Sequence, residues 1–455
     1  NEGTAPQDGA MNATYSGWRG SVMVAINELL SWDQYFAVGG ALRHIEFDPV
    51  PGTLNCADFP ASVSTAPTQS MEISLYPAYN IISKMLYSDA ELRQDIMGIG
   101  GTSQWPTTIF RGIDQWGERY GYLLIDPIGG SIGAFAQGDG INTGGQARTP
   151  IGQLPNVEHN EQLFPLLFLY RKELPDSGGA GKFRGGLSAE SCFIPHNTDH
   201  ITHDTLSSGN AIPTSTGMMG GYPSTTNAYT FIKESDILER MEDSRLIEDT
   251  SEVKGNAELL SLRQENFTQK TADVYAVRWS GGGGFGDPMQ RDPERIAHDL
   301  EHLNITPEAA RDIFGAVLDA DEHVDVAATE ENRKQILAAR LKRLGNGNGA
   351  RDIHSGEASL PAGDNLAVYG SGDTACWACV RCAADLGPLS DNYKDVCLRE
   401  DRPVSDSNPL VGDPADFIDD AVAFRLFHCP SCGSHIDNEI AVESDPVMRD
   451  IELTL

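Results

Sequence analysis

The sequence predicts a mixed α/β (α+β) domain, followed by a helical segment and a small, cysteine-rich β module. Within residues 1–290, some apolar runs have helical spacing, and others are short and bounded by glycine and proline, as strands are. Residues 292–344 carry three helical patterns, and six of the eight cysteines lie between Cys376 and Cys432. A chain of 455 residues, 40% of them hydrophobic, can bury a sizeable core and form two or three domains.

The composition divides the chain into four segments. Glycine becomes frequent in the later part of the first segment, and helix-capping signals mark the second segment. A glycine-rich stretch then connects the second segment to the cysteines. The predicted limits are 1–290 for the first domain, 291–344 for the helical segment, 345–365 for a linker and 366–455 for the C-terminal module.

The first elements of the chain are predicted to be helices. The apolar-periodic runs "SGWRGSVMVAINELLS" (16–31) and "SMEISLYPAYNIISKML" (70–86) have the spacing of core helices. The stretch between them, "HIEFDPVPGTLNCADFPASVS", is broken by Pro and Gly and predicts strand and turn. Further on, "GYLLIDPIGGSIGAFAQGDGINTGG" predicts a strand that runs into long ordered loops, which usually carry function.

Strands and then helices are predicted for the later part. After the apolar element "QLFPLLFLYRKEL" (162–174), we expect strands at "LSAESCFIP" (187–195) and "DVYAVRWS" (273–280). The sequences Asp292-Pro293 and Thr306-Pro307-Glu308 are start signals for helices in the second segment.

The charge balance excludes two classes of partner. Asp and Glu outnumber Lys and Arg by 66 to 33, which gives a formal net charge of −33. Such an acidic surface repels a nucleic-acid backbone and an anionic membrane. No run approaches about 18 uncharged apolar residues, and the first residues lack the profile of a secretory signal. We therefore expect a cytoplasmic protein without nucleic-acid or membrane partners.

Two glycine-rich loops suggest nucleotide binding, but their spacing argues against it. In "DSGGAGKFRGG" (176–186), a P-loop ending at Lys182 would need Gly in place of Asp176 and Ser or Thr in place of Phe183. Residues 281–286 fit G-x-G-x-x-G, yet "DPMQRDPERI" follows where a dinucleotide-binding helix should begin. Glycines of this kind supply positive φ for turns or let backbone N–H groups approach an anion.

Four segments together resemble one enzyme family. They are "DGINTGG" (139–145), "PNVEHNEQLFPL" (155–166), "DSGGAGKFRGG" (176–186) and "YAVRWSGGGGFGDPMQRDPE" (275–294). Through them, residues 10–290 resemble the second half of the hydantoinase B/oxoprolinase B family. That family includes subunits of N-methylhydantoinase, 5-oxoprolinase, caprolactamase and the ATP-dependent acetone and acetophenone carboxylases. The resemblance implies a hydantoinase B-like first domain.

The resemblance also implies that the active site is incomplete in this chain. In the family, a first half of similar length precedes the matched residues and carries His and Asp residues that are expected to bind a metal. We therefore expect another chain or fragment to supply that half and a second metal.

The matched loops contain the candidate catalytic residues, which are Asp139, Asn142, Glu158, Glu161 and Arg184, with Asn156 as a further polar position. Glu158 and Glu161 lie on one side of a helical turn and could orient substrate or transfer a proton. Alternatively, they cap a helix or pair with Arg171 or Arg184. Arg184 could clamp a carboxylate, bicarbonate or phosphate, or form an ion pair with Asp176. Backbone N–H groups of the glycine loops, with Arg184, would stabilise oxyanions.

The cysteines near the C-terminal end form a stronger pattern. Cys379 with Cys382, and Cys429 with Cys432, are two C-x2-C pairs, each able to present two thiolates to one tetrahedral zinc ion. Four thiolates leave no open position, so the predicted zinc is structural and the module zinc-ribbon-like. Three further residues compete as ligands: Cys376, His428 and His435.

The module favours one branch of the family. Residues 372–444, with "CVRCAADLGPLSDNYKD" and "FRLFHCPSCGSHIDNEI", resemble the small zinc-binding subunit that accompanies acetone carboxylase. The resemblance implies a subunit of an ATP-dependent ketone carboxylase, a ligase that joins an enolate or enol phosphate of a small ketone with CO2 from bicarbonate. A hydantoinase A-like partner subunit would bind the ATP. The alternative is a subunit of an ATP-dependent cyclic amidohydrolase that acts on a hydantoin, 5-oxoproline or a lactam.

Overall fold

The computed structural model describes most of the chain. Residues 98–105 and 147–148 of the glycine-dense region, and 346–351 of the predicted linker, lie outside the described residues. The described ranges are 5–32, 38–64, 70–95, 106–146, 149–150, 152–261, 263–345 and 352–453.

The two apolar runs near the N-terminal end form a pair of packed helices, as the sequence predicts. Helix α1 spans Tyr15–Leu30 and helix α3 spans Ser70–Tyr87, with a short helix α2 (Val38–Ala41) between them in sequence. Thr14 caps α1 by accepting a hydrogen bond from the Gly17 N–H at 3.3 Å. The apolar faces of α1 and α3 are buried against each other and against the glycine loops.

Two antiparallel sheets form the rest of the first domain. Its strands are β1 (Thr107–Ile113), β2 (Arg119–Leu123), β3 (Gly145–Gln146), β4 (Thr149–Pro150), β5 (Leu166–Glu173), β6 (Ala189–Pro195), β7 (His200–Leu206), β8 (Ala228–Lys233), β9 (Asn256–Leu259), β10 (Arg263–Lys270) and β11 (Val274–Arg278). One sheet has the order β10-β7-β1-β2, the other β5-β6-β11-β8-β9, and β3 pairs with β4. Strands β6 and β11 confirm the two predicted strands.

Aromatic side chains fill the space between the two larger sheets. Phe110 of β1 lies on one side, and Phe193 of β6 and Tyr275 of β11 lie on the other; all three are fully buried. Their rings approach edge-on or tilted, the favourable arrangement for aromatic pairs. This packing makes the sheets one rigid support for the loops at their ends.

Three helices follow the first domain and confirm the predicted helical segment. They are α6 (Pro293–Glu301), α7 (Pro307–Asp312) and α8 (Val326–Leu344); the shorter α4 (Val157–Leu163) and α5 (Ile237–Glu242) lie within the first domain. Asp292 caps α6 by accepting the Glu294 N–H at 2.9 Å, and Thr306 caps α7 by accepting the Ala309 N–H at 3.2 Å. Within the described ranges, no helix is both long enough and apolar enough to cross a membrane.

The C-terminal module consists of two small antiparallel sheets. The strands are β12 (Leu360–Pro361), β13 (Leu366–Tyr369), β14 (Cys376–Cys379), β15 (Asp385–Pro388), β16 (Leu398–Arg402), β17 (Val422–His428) and β18 (His435–Val442). Their orders are β12-β13-β14-β15 and β16-β17-β18, around a core that contains Trp377, Tyr393 and Phe427. Strand β12 and Ile353 fall in the predicted linker yet pair with the module's strands. The domain limits themselves stay a prediction.

Two side-chain amides, of which that of Asn408 is buried, attach the module to the first domain. The Asn408 side chain donates to the Asp176 carbonyl at 2.9 Å, and the Asn438 side chain donates to the Gly221 carbonyl at 2.9 Å. A buried amide that loses its partner costs about 1–3 kcal/mol, so these contacts fix the position of the module.

Candidate functional site

The four cysteines of the two C-x2-C pairs meet at one point in the module. One ligand atom from each of Cys379, Cys382, Cys429 and Cys432 lies within 4.8 Å of the others, and none of the four forms a disulfide. The Sγ atoms of Cys379 and Cys432 are 3.8 Å apart, and those of Cys382 and Cys429 are 3.6 Å apart. Zinc–sulfur bonds of about 2.3 Å in a tetrahedron place the sulfurs about 3.8 Å apart. The cluster therefore fits a tetrahedral ion held by four thiolates.

Two similar backbone turns hold the four sulfurs. In the first, the Ala383 N–H donates to the Cys379 carbonyl at 2.8 Å; in the second, the Gly433 N–H donates to the Cys429 carbonyl at 2.9 Å. Both residues have positive φ, 55° at Ala383 and 73° at Gly433. Glycine adopts this backbone region freely, whereas the Cβ of alanine disfavours it. The first turn is therefore strained at Ala383.

Hydrogen bonds among the sulfurs change their protonation. Bonding to Cys379 lowers the pKa of Cys382 to about 7 and holds the pKa of Cys432 well below its usual range. The same bonds raise the pKa of Cys379 and Cys429, so the metal-free cluster keeps protons on these two sulfurs. The Ser434 hydroxyl, 3.1 Å from the Cys432 sulfur, also favours the thiolate there. Since thiolates bind metals, the lowered pKa values of Cys382 and Cys432 favour metal binding.

The three competing ligands lie outside this cluster. Cys376 contacts His354 and Asp385 instead. His428 is fully buried, which lowers the pKa of its imidazole to about 4, and burial also lowers the pKa of His435. Both imidazoles are therefore neutral groups of the core. The geometry therefore supports the same four cysteines as metal ligands that the spacing suggested.

The glycine loops of the first domain pack on one another through their backbones. A Cβ on Gly185 would lie 1.9 Å from the Gly282 carbonyl oxygen, and a Cβ on Gly282 would lie 2.4 Å from the Ile132 carbonyl oxygen. The Gly282 N–H donates to the Gly186 carbonyl at 3.0 Å, and the Gly179 N–H donates to the Gly282 carbonyl at 2.8 Å. Glycine is needed here because the backbones approach so closely.

These contacts occupy several of the N–H groups of the glycine loops, which were predicted to stabilise oxyanions. Within the loops 176–186 and 281–286, six glycine N–H groups donate to backbone carbonyls of the protein: those of Gly179, Gly185, Gly186, Gly282, Gly284 and Gly286. A buried N–H group that turned to a substrate would leave its carbonyl without a donor, which is costly. Oxyanion stabilisation by the loops stays a prediction, because glycine spacing alone does not distinguish a backbone that packs on itself from one that faces an anion.

Asp139 and Arg184, two of the predicted catalytic residues, meet in a buried charge network. The Asp139 carboxylate accepts the Arg184 N–H at 2.7 Å and two hydrogen bonds from the Arg291 guanidinium at 2.7 and 2.9 Å. Arg291 Nε donates to Asp299 at 3.0 Å, and Arg184 Nε lies 3.4 Å from the same carboxylate. Carboxylates and guanidinium groups thus alternate through the network.

The network keeps Asp139 and Arg291 ionised. Burial alone would raise the pKa of Asp139, but the hydrogen bonds and charge of Arg291 hold it below its usual value. Burial likewise would lower the pKa of Arg291, and its two carboxylate partners raise it instead. The network connects the "DGINTGG" loop, the "DSGGAGKFRGG" loop and helix α6. Such an arrangement fixes the positions of the loops.

Asn142 extends the network, whereas Asp176 does not. The Asn142 side-chain oxygen accepts the Leu187 N–H at 2.9 Å and lies 3.3 Å from the Arg184 guanidinium. Asp176, the alternative partner weighed for Arg184, accepts hydrogen bonds from the N–H and hydroxyl of Thr306 at 3.0 and 2.7 Å. Asp176 therefore connects its loop to the start of α7.

The predicted glutamate pair lies on α4. Glu158 is exposed in the first turn, and Glu161 accepts the Phe168 N–H at 2.8 Å. Asn156 caps the helix by accepting the His159 N–H at 2.8 Å. Helix α4 packs along β5, where Arg171 donates to the Pro155 carbonyl just before the helix at 2.6 Å. The structure therefore brings together three of the five candidates and places the two glutamates elsewhere.

No role was predicted for Arg291 or Asp299 from the sequence, although both are central to the network. Arg291 lies within a segment that carries the family resemblance, which was the one available signal. Its carboxylate partner Asp139 is 152 positions away in the chain, and no spacing rule predicts such a pair.

A cavity of about 530 Å³ lies where the module meets helix α3. Apolar residues of α3 and Met218 line one side, and the other carries charged groups. Lys394 Nζ lies 3.3 Å from both Glu439 and Asp450, and Lys84 also pairs with Asp450. Burial alone would raise the pKa of Asp450, but these two ammonium groups hold it well below its usual value. A cavity of this size can hold a small organic molecule with one polar group.

The fold and the two sets of residues define a hydantoinase B-like domain with an attached cysteine module. Residues 1–288 match the model of the hydantoinase B/oxoprolinase family, and the chain belongs to that family. Residues 355–455 match the model of the acetone carboxylase gamma subunit, which confirms the second resemblance. The four clustered cysteines lie in this second region.

Curated relatives of the chain are subunits of larger enzymes. The chain is 26% identical over 318 residues to the acetophenone carboxylase delta subunit of Aromatoleum aromaticum, which covers 67% of this chain and 46% of that subunit. It is 28% identical over 283 residues to the acetone carboxylase alpha subunit of Xanthobacter autotrophicus, covering 58% and 36%. The caprolactamase subunit beta of Pseudomonas jessenii is 28% identical over 178 residues, covering 39% and 28%. The chain thus spans less than half the length of these relatives.

Two solved structures share the fold. A nucleotide-free acetone carboxylase matches 75% of this chain and 46% of its own chain, with a TM-score of 0.65 and 23% identity. The ATP-dependent caprolactamase from Pseudomonas jessenii matches 73% of this chain and 53% of its own, with a TM-score of 0.59 and 20% identity. At these identities the likeness establishes the fold.

Proposed function

We propose that this chain is part of the large subunit of an ATP-dependent ketone carboxylase. The supporting observation is that one chain joins hydantoinase B/oxoprolinase sequence to acetone carboxylase gamma sequence. The carboxylase subunits align with 67% and 58% of the chain, whereas the caprolactamase subunit aligns with 39%. The alternative, an ATP-dependent cyclic amidohydrolase subunit, accounts for the first domain but not for the module.

In the proposed reaction, a ketone loses a proton from the carbon beside its carbonyl. The resulting enolate, or an enol phosphate made from it with ATP, forms a carbon–carbon bond with CO2 from bicarbonate. Water destroys both reactants, so they must meet in a closed and preorganised site. We assign ATP binding to a hydantoinase A-like partner subunit. We assign the second metal to the first half of the family fold.

We propose zinc as the ion of the four-cysteine cluster. The donor set is four thiolates at tetrahedral separations, the arrangement of structural zinc sites. With all four positions filled, the ion would bind no substrate. It would fasten the turn between β14 and β15 to the turn between β17 and β18, and so hold the module together.

For the candidate catalytic residues we propose two kinds of role. Asp139, Asn142 and Arg184 position the loops, because their polar groups already contact the protein. Glu161 is likewise bonded to the backbone of β5. Glu158 is exposed on α4 and is therefore the carboxylate of the five that can reach a substrate or a partner subunit.

The deciding experiment is the bicarbonate dependence of ATP turnover by the purified complex. We expect ADP release to require a ketone and bicarbonate together, with label from bicarbonate recovered in an acid-stable carboxylate. A hydantoin, 5-oxoproline and caprolactam serve as comparison substrates. ADP release with one of these cyclic amides, in the absence of bicarbonate, would identify an amidohydrolase instead.

A further inference from the structure

We propose that His354, Cys376 and Asp385 form a second metal site, which holds a zinc-type divalent ion with one open coordination position. The Cys376 sulfur lies 3.1 Å from His354 Nε2, and Asp385 Oδ2 lies 3.2 Å from the same nitrogen. One ligand atom from each residue lies within 4.8 Å of the others. A sulfur, a nitrogen and an oxygen therefore converge on one point, apart from the four-cysteine cluster.

The strand register brings two of these side chains to one face of the module's sheet. Cys376 is the first residue of β14, and Asp385 of β15 pairs with Ala378 of β14. Residues two apart on a strand point to the same face. Cys376 and Asp385 are consequently diagonal neighbours across the two strands, within reach of each other.

His354 reaches the same face from a segment beside β15. Its backbone N–H donates to the Ala383 carbonyl at 2.9 Å, and its ring stacks on Tyr369 with the centroids 5.1 Å apart. Tyr369 pairs directly with Cys376 in the neighbouring strand. Cys379 is three residues from Cys376 on β14 and points to the opposite face. The two clusters thus occupy opposite faces of one hairpin.

Without an ion, the cluster is held by hydrogen bonds, which include one from the Cys376 thiol to the Tyr369 carbonyl at 3.7 Å. The Nε2 atom of a neutral imidazole either donates or accepts one hydrogen bond, yet here it faces both a thiol and a carboxylate. A catalytic Cys-His-Asp triad does not explain the arrangement, since its carboxylate and nucleophile contact opposite ring nitrogens. A divalent cation satisfies all three groups, because each offers it a lone pair. The thiolate of Cys376 and the carboxylate of Asp385 would also neutralise its charge.

The ligand set favours zinc. Tetrahedral zinc bonds place sulfur and nitrogen about 3.5 Å apart, and nitrogen and oxygen about 3.4 Å apart, so the observed separations need shifts of only a few tenths of an ångström. A thiolate with an imidazole favours zinc over magnesium or calcium. The side chains of His354 and Asp385 are 26% and 30% exposed, so a fourth position can open to solvent water. Three protein ligands with an open position are typical of catalytic zinc sites.

The test is the zinc content of the full chain in its complex and the rate of zinc release to a colorimetric chelator. We expect the native protein to hold one zinc ion per chain more than the Cys376→Ala variant. We expect that ion to leave first, because an open site with three ligands exchanges faster than a closed set of four thiolates. Cys397→Ala removes another buried cysteine of the module, outside both clusters, and should keep the native zinc count.

A second variant covers the case in which Cys376→Ala disturbs the hairpin. His354→Gln changes a partly exposed side chain and should also remove one zinc ion, with the circular dichroism spectrum unchanged. The proposal is overturned if His354→Gln keeps the native zinc count, whatever Cys376→Ala does. Because the readout is metal content, this result is independent of whether the complex carboxylates a ketone.

Discussion

At the scale of single residues, Arg291 is the side chain whose loss we expect to cost most. It is fully buried between Asp139 and Asp299, so Arg291→Ala would take from both carboxylates their closest charge partner and leave buried Asp299 with the longer Arg184 contact of 3.4 Å. We expect the free energy of unfolding in urea to fall by about 3–5 kcal/mol. Arg311→Ala is the control, because Arg311 is 44% exposed and 4.0 Å from Glu322. An exposed pair of this kind contributes at most about 1 kcal/mol, so equal losses in the two variants would contradict the prediction.

Ala383 offers a test in the opposite direction, a gain of stability. Its φ of 55° strains the first cysteine turn, so Ala383→Gly should raise the free energy of unfolding of the zinc-loaded protein by about 1 kcal/mol. Gly433→Ala in the second turn should destabilise the protein, since its Cβ would also lie 2.8 Å from the Leu337 carbonyl oxygen. Urea titration of both variants measures the two changes in the free energy of unfolding. A loss of stability in Ala383→Gly would show that the turn is not strained.

Glu158 is the residue at which the proposed chemistry is tested most directly. If it transfers a proton, Glu158→Gln should lower kcat for ketone-dependent ADP release by about 10²-fold or more, with the stability unchanged. Glu118→Gln is the matched control, because it changes another exposed carboxylate of the first domain. An unchanged kcat in Glu158→Gln would mean that this exposed side chain has no catalytic role.

At the scale of elements, the sequence predicts well those helices and strands that depend on local patterns. Helices α1 and α3 and strands β6 and β11 form where the apolar periodicity placed them, and Asp292 and Thr306 cap the helices they precede. Each of these features depends on neighbours within a few residues. The pairing of strands in a sheet does not depend on near neighbours in sequence. Strand β10, for example, pairs with β7, which lies more than fifty residues earlier in the chain. The partners of the glycine loops were not predicted for the same reason, because they lie in other loops.

The glycine loops also provide the prediction at this scale. Gly185→Ala would place a Cβ 1.9 Å from the Gly282 carbonyl oxygen, and neither backbone has room to move. We expect a loss of about 3 kcal/mol or more in the free energy of unfolding. Gly121→Ala in β2 is the control, since its Cβ would meet nothing within 4 Å. Similar values for the two variants would mean that the loops do not pack as closely as described.

At the scale of the whole molecule, the two clusters of the module differ in how far sequence predicts them. The four-cysteine cluster was predicted because the two cysteines of each C-x2-C pair are close in sequence. Only the contact between the two pairs joins distant parts of the chain. His354 and Asp385 were not found, because neither has a recognisable spacing from Cys376 and strand register alone brings them together. Nor does any sequence rule predict the attachment of the module to the first domain, which depends on single buried amides such as Asn408.

That attachment leads to a prediction about metal removal. Loss of the ion from the four cysteines should release the turns at Ala383 and Gly433, and with them the strands that carry Asn438 to Gly221 of the first domain. We expect a strong chelator to lower the melting temperature of the whole chain by about 5 °C or more, in one transition. Cys379→Ser should have the same effect without chelator, and Cys397→Ser should not. Two separate transitions, with the melting temperature of the first domain unchanged, would contradict the prediction. They would show that the module unfolds independently of the first domain.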